Sequence, residues 1–157
     1  MKGENRLVEK LNDLLAEELT AINQYMVHSE MASNWGYYRL HDAVEKRAIQ
    51  EMRHAEKLIE RIIFLEGSPT VSKLNPIHIG QDIPQQFQSD LESEMLAIRL
   101  YNEAIHLSNE VSDAVTREVL ESIVKEEDAH VDWLEQQRDQ ISQMNLPFYL
   151  AEQMKQN

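Results

Sequence analysis

Cysteine is missing from this chain of 157 residues. Disulfides, thiolate-bound zinc, iron–sulfur clusters and thiol nucleophiles are therefore excluded, and any metal must be held by oxygen and nitrogen. Glycine and proline are scarce, with four of each, and the composition leans on Leu, Ile, Glu, Gln, Ala and Met, which favour helix over strand. An all-α fold is expected. There is no apolar run long enough to span a bilayer, and Met1-Lys2-Gly3-Glu4-Asn5-Arg6 passes straight into a charged amphipathic pattern without a secretory core. The expectation is a cytoplasmic protein with no membrane partner. Bases are outnumbered, 15 Lys and Arg against 28 Asp and Glu, giving a formal net charge of −13. That balance repels nucleic acid and either favours cations or serves simple solubility.

The length fits one domain, residues 1–157. Apolar residues recur at helical spacing over roughly 5–34, 39–66, 82–111 and 113–144, with a short fifth helix or tail over 148–156. Asn34-Trp35-Gly36 marks a turn, Gly67 and Pro69 stop the second helix, Asp82 caps the third, and Asn145-Leu146-Pro147 ends the fourth. Residues 67–81 have no helical period. A loop of that length is explained if it crosses the whole bundle between second and third helices that run parallel.

Each long helix carries an acid inside its apolar stripe. Glu18 lies among Leu14, Leu15, Leu19 and Ile22, and Glu94 lies between Leu91 and Ile98; Glu51-Met52-Arg53-His54 and Glu127-Asp128-Ala129-His130 interrupt the other two. Residues three apart share a helix face, so each Glu-x-x-His pair offers a carboxylate and an imidazole to one point. The spacing repeats: 33 positions separate Glu18 from Glu51, and 33 separate Glu94 from Glu127. A third pair, Glu103 and His106, is rotated half a turn from Glu94 and is expected at the surface. The other six side chains form the ligand pattern of a carboxylate-bridged two-metal centre within four helices. Four converging carboxylates repel one another, and two divalent cations neutralise them. Such ligands suit Fe(II) or Mn(II), and Zn(II) fits them too. Tyr25, two turns beyond Glu18, reads either as a site residue that bonds the centre or supplies an electron, or as a core tyrosine. Met52 is turned about 100° from Glu51 and reads either as a packing residue or, across a twofold axis, as a haem ligand.

The opening Met1-Lys2-Gly3, the segments Glu18-Leu19-Thr20-Ala21-Ile22-Asn23-Gln24-Tyr25 and Glu51-Met52-Arg53-His54-Ala55-Glu56, the block Arg61-Ile62-Ile63-Phe64-Leu65-Glu66-Gly67 and the segment His130-Val131-Asp132-Trp133-Leu134-Glu135 together resemble the bacterioferritin family. The resemblance spans essentially the whole chain. It implies a ferritin-like four-helix bundle with a short C-terminal helix, assembled as a hollow homo-oligomeric cage of twenty-four subunits built from twofold dimers. It further implies oxidation of Fe(II) by O2 or H2O2 at an intrasubunit di-iron centre, mineral storage inside, and iron release with a ferredoxin-type reductase partner. Two iron ions per subunit and haem b shared between two subunits are the implied cofactors. By position, Glu51 and Glu127 would bridge the metals, Glu18 and His54 would complete one site, Glu94 and His130 the other, and Met52 would ligate the haem iron. Two departures stand out. Lys46 and Gln50 replace the His and Asp with which some relatives form an extra inner-wall iron site, and Leu58 stands where some carry a second tyrosine. The rivals are a haem-binding scaffold whose acids pair with Arg and Lys, and a haem-free ferritin; rubrerythrin would need cysteines.

Overall fold

The computed structural model describes residues 1–156 and contains, among them, helices and no strand. Five helices follow one another: α1 Asn5–Asn34, α2 Tyr38–Phe64, α3 Ile83–Glu110, α4 Ala114–Met144 and α5 Leu146–Gln153. Their stops have local causes. Gly36 takes a positive φ of 81° after α1. At the end of α2 it is Glu66, not the expected Gly67, that turns left-handed (φ 62°), while the Gly67 N–H donates to the Ile62 carbonyl at 2.9 Å. Gly67 is required for space, because a Cβ there would lie 2.5 Å from Val8 Cγ1. Asp82 and Asp113 cap α3 and α4, accepting from the N–H groups of Gln85 at 2.9 Å and Thr116 at 3.0 Å.

The fourth helix ends at Met144 because Asn145 takes a φ of 68°. Pro147 does not terminate anything; it sits in the first turn of α5, which starts two residues earlier than the pattern indicates. This short helix is docked: Tyr149 is fully buried beside Phe87 and donates to Gln137 Oε1 at 2.7 Å.

Side-chain pairings fix the topology. On α1 and α3, Lys10 meets Glu103, Glu18 meets Tyr101 and Gln24 meets Asp90, so these helices are antiparallel. His41 meets Ser29 and His54 meets Glu18, so α2 also opposes α1. Helices α2 and α3 therefore run parallel, as the crossover requires. Helix α4 opposes α2, with Arg61 on Asp113 and His54 on Glu127. Leu7, Leu11, Leu14, Leu58, Ile62 and Leu120 fill one end of the bundle, and Leu40, Phe87, Leu134 and Tyr149 fill the other. The polar centre lies between these two apolar plugs.

The crossover is stitched to α1 along its length. Asn12 accepts from Thr70 N–H, Thr20 from Asn75 N–H, Gln24 from His78 N–H, and His28 Nε2 from Gly80 N–H. His28 Nδ1 lies 2.9 Å from Asp90, which ties the last rung to α3. At Gly80 the chain presses on the start of α3, and a Cβ would fall 2.3 Å from the Gln86 nitrogen. Gly80→Ala is expected to lower the stability by about 1–3 kcal/mol through overpacking against backbone. An unchanged denaturation midpoint would show that this contact does not matter.

Candidate metal centre

Glu18, Glu51, His54, Glu94 and Glu127 are each at most 1% exposed, although none is apolar. Helix α1 contributes the first, α2 the next two, α3 Glu94, and α4 Glu127 and the less buried His130. Glu18, Glu51, His54 and Glu127 bring one ligand atom each within 4.8 Å of one another. Alongside, His130 Nδ1 lies 3.0 Å from Glu94 Oε1. Glu127 faces both halves: its Oε1 is 3.0 Å from His54 Nδ1, while its Oε2 is 2.7 Å from the guanidinium of Arg47. Glu103 and His106 are exposed, as their helical phase requires. Met52 points outward and is 43% exposed.

Five buried atoms in this cluster have no hydrogen-bond partner: Glu18 Oε2, Glu51 Oε1, His54 Nδ1, Glu127 Oε1 and His130 Nδ1. Buried polar atoms are otherwise nearly always satisfied. Side chains that converge with so many atoms unsatisfied suit a cation, and carboxylate oxygen with imidazole nitrogen is the donor set of a hard or borderline divalent metal. The far side of His54 also fits, because its Nε2 is 2.8 Å from Glu126 Oε2, the carboxylate support that orients a ligating histidine.

Three residues near the centre carry roles that the sequence reading missed. Tyr101 donates to Glu18 Oε1 at 2.5 Å, and Tyr25 donates to Glu94 Oε1. Tyr25 is thus a buried site residue whose hydroxyl is satisfied by the centre itself. The signal for Tyr101 was present, since Tyr25 follows Glu18 by seven residues and Tyr101 follows Glu94 by seven. Glu126 adjoins a bridging candidate. Arg47 is four residues before Glu51, hence on its face, and is buried among the acids. Trp133 stacks on His130, with ring centroids 5.8 Å apart, and the Tyr25 ring meets His130 edge-on.

Electrostatics follow from that crowding. Burial, then the neighbouring carboxylates, pushes Glu18, Glu51 and Glu127 above the ordinary carboxylate range. Burial would do the same to Glu94, but Glu127, Arg47 and His130 hold it well below. Burial opposes the charged form of His54, yet its contacts with Glu127, Glu18 and Glu51 prevail and raise it to about 12. Burial and the adjacent carboxylates push both tyrosines up, so they remain donors.

Comparison with known proteins gives the family. The ferritin-like domain family model matches residues 8–144. A bacterioferritin of Rhodobacter capsulatus is 42% identical over 137 residues, covering 87% of this chain and 85% of that one. A bacterioferritin of Brucella melitensis is 38% identical over 144 residues, 92% and 89% of the two chains. Another, from Mycolicibacterium paratuberculosis, is 38% identical over 152 residues, 97% and 96%. The chain belongs to the bacterioferritin family. Membership accounts for the bundle, the crossover and the buried acids together. No helix among the described residues is long and apolar enough to cross a membrane.

Because burial and crowding raise the proton affinity of Glu18, Glu51 and Glu127, and the carboxylates raise that of His54, a metal competes with protons here, so cation binding should release protons and weaken as pH falls. Calorimetric titration with Zn(II) in buffers of different ionisation enthalpy measures the number. Zero release, with affinity flat from about pH 8 to about pH 6, would contradict the shifts described.

Proposed function

We propose that this protein stores iron, oxidising Fe(II) at the buried cluster and holding the Fe(III) product inside an oligomeric cage in the cytoplasm. The observation that carries the reading is the convergence of five unpartnered ligand atoms from α1, α2 and α4, with Glu94 of α3 beside them. Family membership supports it. Two Fe(II) are the substrates: Glu18 and His54 hold one, Glu94 and His130 hold the other, and Glu51 and Glu127 bridge them. Each Fe(II) gives up one electron. The pair reduces one O2, with two protons, to H2O2, or one H2O2, with two protons, to water. The protein contributes position and charge: carboxylates that favour the more highly charged product, and a dry interior that keeps the two electron losses together. Tyr25 and Tyr101 fix the orientation of Glu94 and Glu18, and Tyr25, close to both Glu94 and His130, is placed to supply an electron.

Haem b is proposed at a twofold contact between subunits, with Met52 as axial ligand. In support, Met52 and Ile49, three residues apart on one face of α2, are 43% and 44% exposed. Twenty-four subunits and a ferredoxin-type reductase complete the reading. One observation favours the rival of a scaffold with internally paired acids, namely Arg47 among Glu51, Glu94 and Glu127. A single guanidinium does not balance four carboxylates, and although it reaches Glu51 Oε1 it makes no ion pair with Glu18 Oε2 or Glu127 Oε1.

Stopped-flow Fe(II) oxidation tests the reading. Glu18→Ala and His54→Ala are expected to slow the fast phase about tenfold or more; unchanged rates would defeat it. Reconstitution with haem should give a Soret band in the wild type and none in Met52→Leu. Equal haem binding by both proteins would remove Met52 from the site.

A further inference from the structure

Among the described residues, Arg47 is the guanidinium whose charged end lies within the cluster. Its Nη2 is 2.5 Å from Glu51 Oε1, 2.7 Å from Glu127 Oε2 and 3.2 Å from Glu94 Oε2. Its Nη1 donates to Gln50 Oε1 and reaches the Glu126 carbonyl at 3.4 Å. The arrangement is lopsided. Arg47 sits on Glu51 Oε1 and blocks the Glu94 half, whereas Glu18 Oε2, His54 Nδ1 and Glu127 Oε1 face one another away from the guanidinium. The related position in the second half of the chain, four residues before Glu127, is Ile123, which is buried in the apolar core. No second guanidinium guards the first position.

We propose that Arg47 is a displaceable plug in the second metal position, making the two metal-binding steps unequal and ordered. The first divalent cation binds among Glu18 Oε2, His54 and Glu127 Oε1, on the side of the cluster away from Nη2, and leaves the contacts of Arg47 with Glu94 Oε2 and Glu127 Oε2 in place. The second needs Glu94 Oε2 and Glu127 Oε2, which Nη2 occupies, and two cations cannot share that point. Arg47 must swing out, and there is room: it lines a cavity of about 780 Å³ between α2 and α4 that His54 and His130 also line. Glu126, in the lining of that cavity, supplies a carboxylate for the departing guanidinium. Until the second cation arrives, Arg47 shields three acids from one another. If the plugged conformer holds more than about nine-tenths of the population, apparent affinity for the second ion falls about tenfold or more.

This inference rests on reading the cluster as a two-metal centre, and Co(II), which needs no oxidant here, separates the two ideas. Anaerobic Co(II) titration followed by d–d absorbance should give a tight first step and a weaker second step in the wild type. In Arg47→Met and Arg47→Gln, checked for folding by circular dichroism, the second step should tighten about tenfold with the first changed less than about threefold. A second step unchanged or weakened in both variants would overturn the plug while leaving the metal centre intact. Failure of any protein to bind two Co(II) would overturn the metal centre itself, and the plug with it. Wild-type protein gives an independent reading: Arg47 should resist phenylglyoxal with none or one Co(II) per subunit and become reactive when both positions fill, as read by peptide mass spectrometry. Protection that persists at saturation would contradict displacement.

Discussion

Four glutamates buried at one level of a helical bundle are the constraint to which the rest of this structure answers. A carboxylate taken out of water without a counter-charge costs several kcal/mol, and four together cost more because they repel. The chain places Glu18, Glu51, Glu94 and Glu127 there nonetheless, between two clusters of leucine, isoleucine and aromatic side chains that would close over any apolar filling. What makes the burial tolerable is a set of partial answers: shared protons, two tyrosine hydroxyls, a histidine held charged and one guanidinium. None of them satisfies every lone pair.

The topology serves that level. Were α2 and α3 joined by a short turn, they would be antiparallel, and the halves of the chain would not face each other as they do. The long crossover makes them parallel, so the two halves of the chain present equivalent residues 76 positions apart at one level: Glu18 and Glu94, Glu51 and Glu127, His54 and His130, Tyr25 and Tyr101. The tyrosines exchange partners, each bonding the glutamate of the other half. The equivalence breaks at Arg47 and Ile123, at Gln50 and Glu126, and at Lys57 and Trp133.

Most of this was legible before any coordinates. Periodicity located the four long helices because each has a continuous apolar stripe, and the six candidate ligands stood out because they interrupt those stripes at repeated spacing. The end of α2 was less legible: the left-handed residue is Glu66, and Gly67 is needed for a contact with Val8, distant in sequence. Pro147 was taken for a stop, whereas the first turn of a helix accepts proline. Arg47 went unnoticed because a basic residue on a helix is usually at the surface. Tyr101 stands in the same repeat relation to Glu94 as Tyr25 to Glu18, but the partner exchange depends on how α1 and α3 pass each other.

The central claim is that two cations, and not internal pairing alone, are what these buried acids are built to hold. Crystals soaked in Fe(II) without oxygen, with data collected on either side of the iron edge, test it directly. The account predicts two anomalous peaks per subunit, one touching Glu18 and His54, the other Glu94 and His130, with Glu51 and Glu127 between them. No peak at this level of the bundle, with Arg47 still seated among its three carboxylates, would contradict it.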